Sequence, residues 1–138
     1  MAGQPSTAGA NIMLDALTGR ATQNARTMYL ALLTAAPGDT TTMATMTELT
    51  TPGSNGYSRQ TCAWDAPTGD PASTDNTALI TFGPFTSDLT QVTHLALVSA
   101  STGTAGDLVA YWTADVPKDP ANGDSITIAA GALVMTAD

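Results

Sequence analysis

Few side chains in this 138-residue sequence could do chemistry, and their spacing decides what kind. There is one histidine, His94, and one cysteine, Cys62. Nucleophilic catalysis needs a base beside a nucleophile and a third group that orients the base. His94 stands in the apolar run VTHLALVS, where its neighbours Thr93 and Leu95 bring no carboxylate. A semi-buried, hydrogen-bonded imidazole within a strand fits those surroundings better than a catalytic one. Zinc takes several thiolate or imidazole ligands, more than Cys62 and His94 supply unless copies share a site on a symmetry axis. Calcium takes clustered carboxylates. Asp70 and Asp75 share one loop, and Asp115, Asp119 and Asp124 share another, but neither follows an EF-hand or a glycine-rich calcium-repeat spacing. Aspartates in turns satisfy nearby backbone N–H groups, which accounts for them more simply. Glu48 is the only glutamate, so a glycosidase would need two aspartates across a deep cleft. No glycine-rich stretch links a strand to a helix start, which removes a phosphate cradle. The expectation is a protein with no catalytic residue, no cofactor and no metal. Trp64 and Trp112 remain: either could stack on a sugar, and both also suit a core or an interface as large apolar anchors.

Charge narrows the partners. Twelve Asp and Glu face four Lys and Arg, a net charge of −8. Arg20, Arg26, Arg59 and Lys118 are scattered, whereas phosphate neutralisation needs clustered cations, so neither nucleic acid nor an anionic membrane is an expected partner. Only 12% of residues are charged, while Thr (25) and Ala (24) dominate. Threonine's β-branch fits a pleated sheet. A sparsely charged, Thr/Ala-rich surface fits coverage by neighbouring copies, and a coding bias toward these residues gives the same composition. One cysteine excludes an intrachain disulfide framework. No apolar run approaches the ~18 residues of a membrane span, and MAGQPSTAGAN lacks the basic start and long apolar core of a secretory leader.

The elements that must carry these residues are short. Residues 1–7 are rich in Gly, Pro, Ser and Thr and are expected to form a flexible arm ahead of a single domain, 8–138. Ala10, Met13, Leu14 and Leu17 recur at helical spacing, which predicts a helix over 8–18. Ser6 or Thr7 suits its start, and Gly19 its end. The helix is too short to stand alone and must dock on its own domain or on a neighbour. TMYLALLTA (27–35) is apolar on both faces, as a strand covered on both sides would be. Residues 38–55 form a long Thr/Met loop with a short edge strand possible near Met46–Leu49, and loops of that length commonly make contacts. Further strands are expected at 57–65, 77–82, 92–99, 108–114, 125–129 and 132–136, separated by polar turns, with 68–76 a polar loop. No helix lies between strands, which leaves an all-β fold: an antiparallel, jelly-roll-like β-sandwich with one short N-terminal helix.

Several stretches in this order carry a resemblance. They are ANIMLDALTG (10–19), TMYLALLTAAP (27–37), GYSRQT (56–61), ALITFGPFTSDLTQVTHLALVSASTGTAGDLVAYW (78–112) and VPKDPANGDSITIAAGALVMTAD (116–138). Together they resemble a family of small virion proteins of actinobacterial tailed phages, described variously as minor capsid or decoration proteins and as tail-fibre-like proteins. The shared motifs, such as Gly56-Tyr57-x-Arg59 and Val92-Thr93-His94, mark strands and turns and name no active site. The resemblance implies a virion structural protein, first of all a decoration protein on the phage head. Such a protein would be a symmetric trimer that binds the major capsid protein and clamps capsomer junctions. A tail or tail-fibre subunit is the alternative, and a carbohydrate-binding module using Trp64, Trp112 or Tyr57 is a third. On the structural readings the expected assembly contacts are the arm, the helix through Met13 and Leu17, and the long loop through Met43, Met46 and Leu49.

Overall fold

The computed structural model describes residues 1–21 and 24–137. In chain order the elements are β1 (Gln4–Pro5), α1 (Thr7–Leu17), β2 (Tyr29–Leu33), β3 (Gln60–Thr61), β4 (Ala72–Asp75), β5 (Ile80–Phe82), β6 (Val92–Val98), β7 (Leu108–Lys118), β8 (Ile126–Ile128) and β9 (Val134–Ala137). The all-β class with one short N-terminal helix holds. The main sheet has five antiparallel strands in the order β1-β7-β6-β2-β3. The opposing layer is split into two-stranded ladders, β4–β9 and β5–β8.

The double-sided apolar pattern of TMYLALLTA explains the layering. Leu30 and Leu32 in β2 pair with Leu97 and Leu95 in β6, and all four face a core shared with Phe82, Ile128 and Trp112. Ala31 and Leu33 alternate to the opposite face and meet Ala96, Val98, Leu108 and Met43 in a second core. A central strand buried on both faces has no solvated side to alternate with, so it reads as a continuous apolar run.

Among the described residues no sheet lies above the second core, and the 38–55 loop covers it instead. Leu49 N–H donates to Leu32 O at 2.8 Å, Thr34 N–H donates to Thr47 O at 3.0 Å, and Leu33 bridges Glu48. The short edge segment near Met46–Leu49 therefore exists as a bridge along β2. Met43 is 2% exposed and Leu49 7%, and Met46 packs partly buried against the second core. These side chains were expected to reach a neighbour. Met43 and Met46 are instead turned inward over the outer faces of Ala31 and Leu33, and Leu49 joins the first core.

Two other expectations are corrected. Residues 1–7 do not form a flexible arm. Gln4 and Pro5 pair with Tyr111 and Ala110, Ala2 bridges Val134, and Gly3 N–H donates to Val134 O at 2.7 Å. A strand of two residues is too short to show a period, and Pro5, with no N–H to offer, suits a sheet edge. The 68–76 loop contains β4, which reads as polar because it is held by its ladder to β9 with little side-chain burial.

The Gly56-Tyr57-x-Arg59 motif and the link before β9 also acquire physical reasons. Gly56 has φ +73°, and a Cβ there would sit 2.2 Å from Pro84 O, so only glycine fits. Asn76 is 1% exposed and fully engaged: its amide donates to Ala78 O and Ala129 O at 2.9 Å each, and its carbonyl accepts from Leu133 N–H at 2.9 Å. It ties the start of β5 to the link between β8 and β9.

Candidate assembly surface

α1 is held at its N-terminal end by a defect in β7. Leu97 pairs with Ala110 and Val98 with Leu108, so Val109 is left as an extra residue. A bulge of this kind frees a backbone carbonyl from the ladder. Val109 O accepts from Ser6 N–H at 2.9 Å and from Ser6 Oγ at 3.2 Å, and Ser6 Oγ also donates to Leu108 O. Ser6 Oγ then accepts from Gly9 N–H at 3.1 Å, the N-cap bond that starts the helix. Gly9 is the one buried residue of α1, and a Cβ on it would lie 2.1 Å from Val109 O. The close approach of helix to sheet thus depends on a glycine where an apolar anchor would be expected.

The apolar stripe faces away as a result. Ala8, Ile12 and Asp15 turn partly toward the body, while Met13 is 42%, Leu14 58% and Leu17 80% exposed. Met13 and Leu17 were anticipated as contact residues, and Leu14 is exposed beside them. Its signal was already present in the same i, i+3, i+4 pattern. A cluster of large apolar side chains on a short, poorly buried helix is the kind of surface that a partner covers. Asp15 and Arg20, on and just past the helix, are joined to each other at 2.7 Å.

The rest of the chemistry-bearing side chains are structural. Arg59 pairs with Glu48 through Nε at 2.9 Å and Nη2 at 2.7 Å, and also donates to Ala100 O and Gly103 O. Tyr57 Oη donates to Glu48 Oε1 at 2.6 Å and accepts from Leu32 N–H at 3.1 Å. Burial, with the Glu48 charge second, pushes the Tyr57 phenol far above its ordinary range; the Glu48 hydrogen bond raises the Arg59 guanidinium further still. This network pins the 38–55 loop and the β6–β7 turn onto the sheet and consumes the only glutamate. The sequence offered no sign of it, since Glu48 and Arg59 meet only once the loop folds back.

Trp112 is 1% exposed, and its Nε1 donates to Val134 O at 3.1 Å. Trp64 stacks on it at 5.8 Å between ring centroids and is half-buried. Tyr57 is 1% exposed. Two of the three rings considered for sugar stacking are therefore interior. His94 Nδ1 lies 2.8 Å from Thr93 Oγ1, and burial lowers its pKa below the usual imidazole value. Among the described residues no three His, Cys, Asp or Glu side chains come together as a metal site.

Cys62 is 5% exposed, and burial pushes its thiol up to about 11. Against an ordinary thiol that leaves roughly a hundredfold less thiolate near neutral pH. Alkylation of the native protein is therefore expected to be at least that much slower than of the urea-unfolded chain. Equal rates, followed by mass spectrometry, would place the thiol at the surface.

The family model described as Podophage GP4 fiber I protein gp80 matches residues 4–136, nearly the whole chain. No curated protein matches the sequence.

Proposed function

The chain belongs to the podophage GP4 fiber I protein gp80 family, and from that premise we propose that it is a non-enzymatic building subunit of the fibre apparatus, joined to neighbouring subunits through the outward face of α1. As a member of that family it is a phage structural protein of the fibre type, carried in the virion. The observation that carries the reading is the exposed Met13–Leu14–Leu17 cluster on a helix held mainly by its first turn. The side chains with catalytic chemistry are engaged elsewhere: Glu48 in the Arg59 pair, Cys62 in the core and His94 on Thr93. A head-decoration clamp bound to the major capsid protein is the competing position on the particle, and the family's fibre description favours the fibre. With a net charge of −8, protein surfaces suit it better than nucleic acid or an anionic membrane.

Cryo-EM of the intact particle tests the placement. Density for this chain is expected in the fibres. Density on the head alone would overturn the fibre reading in favour of the clamp.

A further inference from the structure

Two dipeptides of this chain can react with themselves, and the fold treats them differently. Asn55-Gly56 and Asn122-Gly123 are the places where an asparagine precedes a glycine. There the glycine's backbone nitrogen can attack the asparagine's side-chain carbonyl carbon, since the glycine has no side chain to shield it. Among the described residues Asn55 is the one residue other than glycine with a positive φ, +54°, and Gly56 follows at +73°. Tyr57 N–H donates to Ser54 O at 2.9 Å across them, the signature of a type I′ turn. Such a turn leaves its middle N–H unbonded, and among the described residues Gly56 N–H has no acceptor. The Asn55 side chain is exposed, and the hold on the residue itself is Thr86 N–H, which donates to Asn55 O at 3.1 Å. The second dipeptide is clamped. Gly123 N–H donates to Phe85 O at 2.7 Å, Asp124 N–H to Ala121 O at 3.0 Å and Asn122 N–H to Asp88 Oδ1 at 2.9 Å. Its nitrogen is therefore tied down at the atom that must react.

We propose that Asn55-Gly56 is a self-modification site, where the chain converts its own asparagine to aspartate and isoaspartate with water as the co-reactant. Gly56 N attacks Asn55 Cγ and gives up its proton. A new C–N bond forms, the bond from Cγ to the side-chain nitrogen breaks, and ammonia leaves. Water then opens the five-membered imide. Opening at Cγ gives aspartate; opening at the backbone carbonyl gives isoaspartate, with the chain rerouted through the former side chain. The rotation that brings the two atoms together also takes Asn55 out of the left-handed region, which an L-residue holds at a cost. The position gives the reaction its consequence. Gly56 lies against Pro84 O with no room for a Cβ, and Tyr57 and Arg59 just beyond it both bond Glu48. A backbone lengthened at Asn55 shifts Gly56 off that fit, and the Glu48 anchor of the 38–55 loop loosens with it.

The test stores the full-length protein in mildly alkaline buffer and follows both sites by peptide mapping and mass spectrometry, with an isoaspartate methyltransferase assay for the rerouted product. In the folded chain Asn55 is expected to convert roughly tenfold faster than Asn122, where the bonds on Gly123 N–H and its neighbours must open first. In urea the two sites should react at similar rates, which assigns the difference to the fold. Conversion of Asn122 as fast as Asn55 in the folded chain, or conversion of Asn55 in urea alone, would overturn the proposal. Asn55→Gly keeps the turn, since glycine holds a positive φ freely, and removes the reacting side chain. Stored wild-type protein should lose hydrogen-exchange protection at Thr86 and Leu49 while the variant keeps it. Equal loss in both would overturn the link from this turn to the 38–55 loop.

Discussion

Replacing Arg59 by alanine is expected to lower the unfolding free energy by about 3–5 kcal/mol, the range for breaking a buried ion pair by removing one partner. The guanidinium is 1% exposed and the Glu48 carboxylate 13%, so the loss would leave a charged acid facing an apolar sheet with little water to solvate it. Ala100 O and Gly103 O would lose their donors in the same step. The replacement should act far from its own position. Glu48 anchors the segment that carries Met43 over the second core and Leu49 into the first, so that segment should loosen before the chain unfolds. Urea denaturation gives the size of the loss by linear extrapolation, and hydrogen exchange at Thr34 and Leu49 gives its location. Changing Glu48 and Arg59 together to methionine should cost less than Arg59→Ala alone, because no lone charge remains, although Tyr57 then loses an acceptor. A loss below about 1 kcal/mol would mean that the pair behaves as a solvated surface bridge.

This network also marks how far the sequence could be read. β2 and β6 were legible because burial on both faces leaves an unbroken apolar run, and α1 was legible because its stripe follows the helical period. The side of α1 that meets the body was not legible. The stripe of Ala10, Met13, Leu14 and Leu17 looks like a docking face, but docking is set by Gly9 and Ser6 against a bulge whose position only pairing reveals. β1 and β4 are too short or too solvated to leave a pattern. For the 38–55 loop, length suggested a contact surface. The two cores show why it turns inward: Met43 and Met46 cover Ala31 and Leu33 on the second face of the sheet. Of the anticipated contact residues the helix supplies Met13 and Leu17 at the surface, while Met43 and Leu49 belong to the chain's own interior.

Trp112→Ala is expected to destabilise the fold by about 3–5 kcal/mol, the usual cost of truncating a fully buried aromatic side chain. Several elements converge on this ring. It stands on β7 within the first core, stacks on Trp64 at 5.8 Å and donates to Val134 O, while a Cβ on Gly3 would lie 2.5 Å from it. Its removal would leave a void under β1 and take from Val134 O one of its two donors, leaving Gly3 N–H alone, so the N-terminal strand should fray with it. Trp64→Ala should cost less, nearer the ~0.5–1.5 kcal/mol of an aromatic pair plus its share of burial, because that ring is only half-buried. Thermal unfolding of the two variants gives the ranking, and fluorescence gives the cause: in Trp112→Ala the remaining Trp64 emission should shift to the red as water reaches the stack. If Trp112→Ala kept full stability and an unshifted emission, the ring could not be a core anchor. The sugar-stacking role set aside on account of its burial would then return.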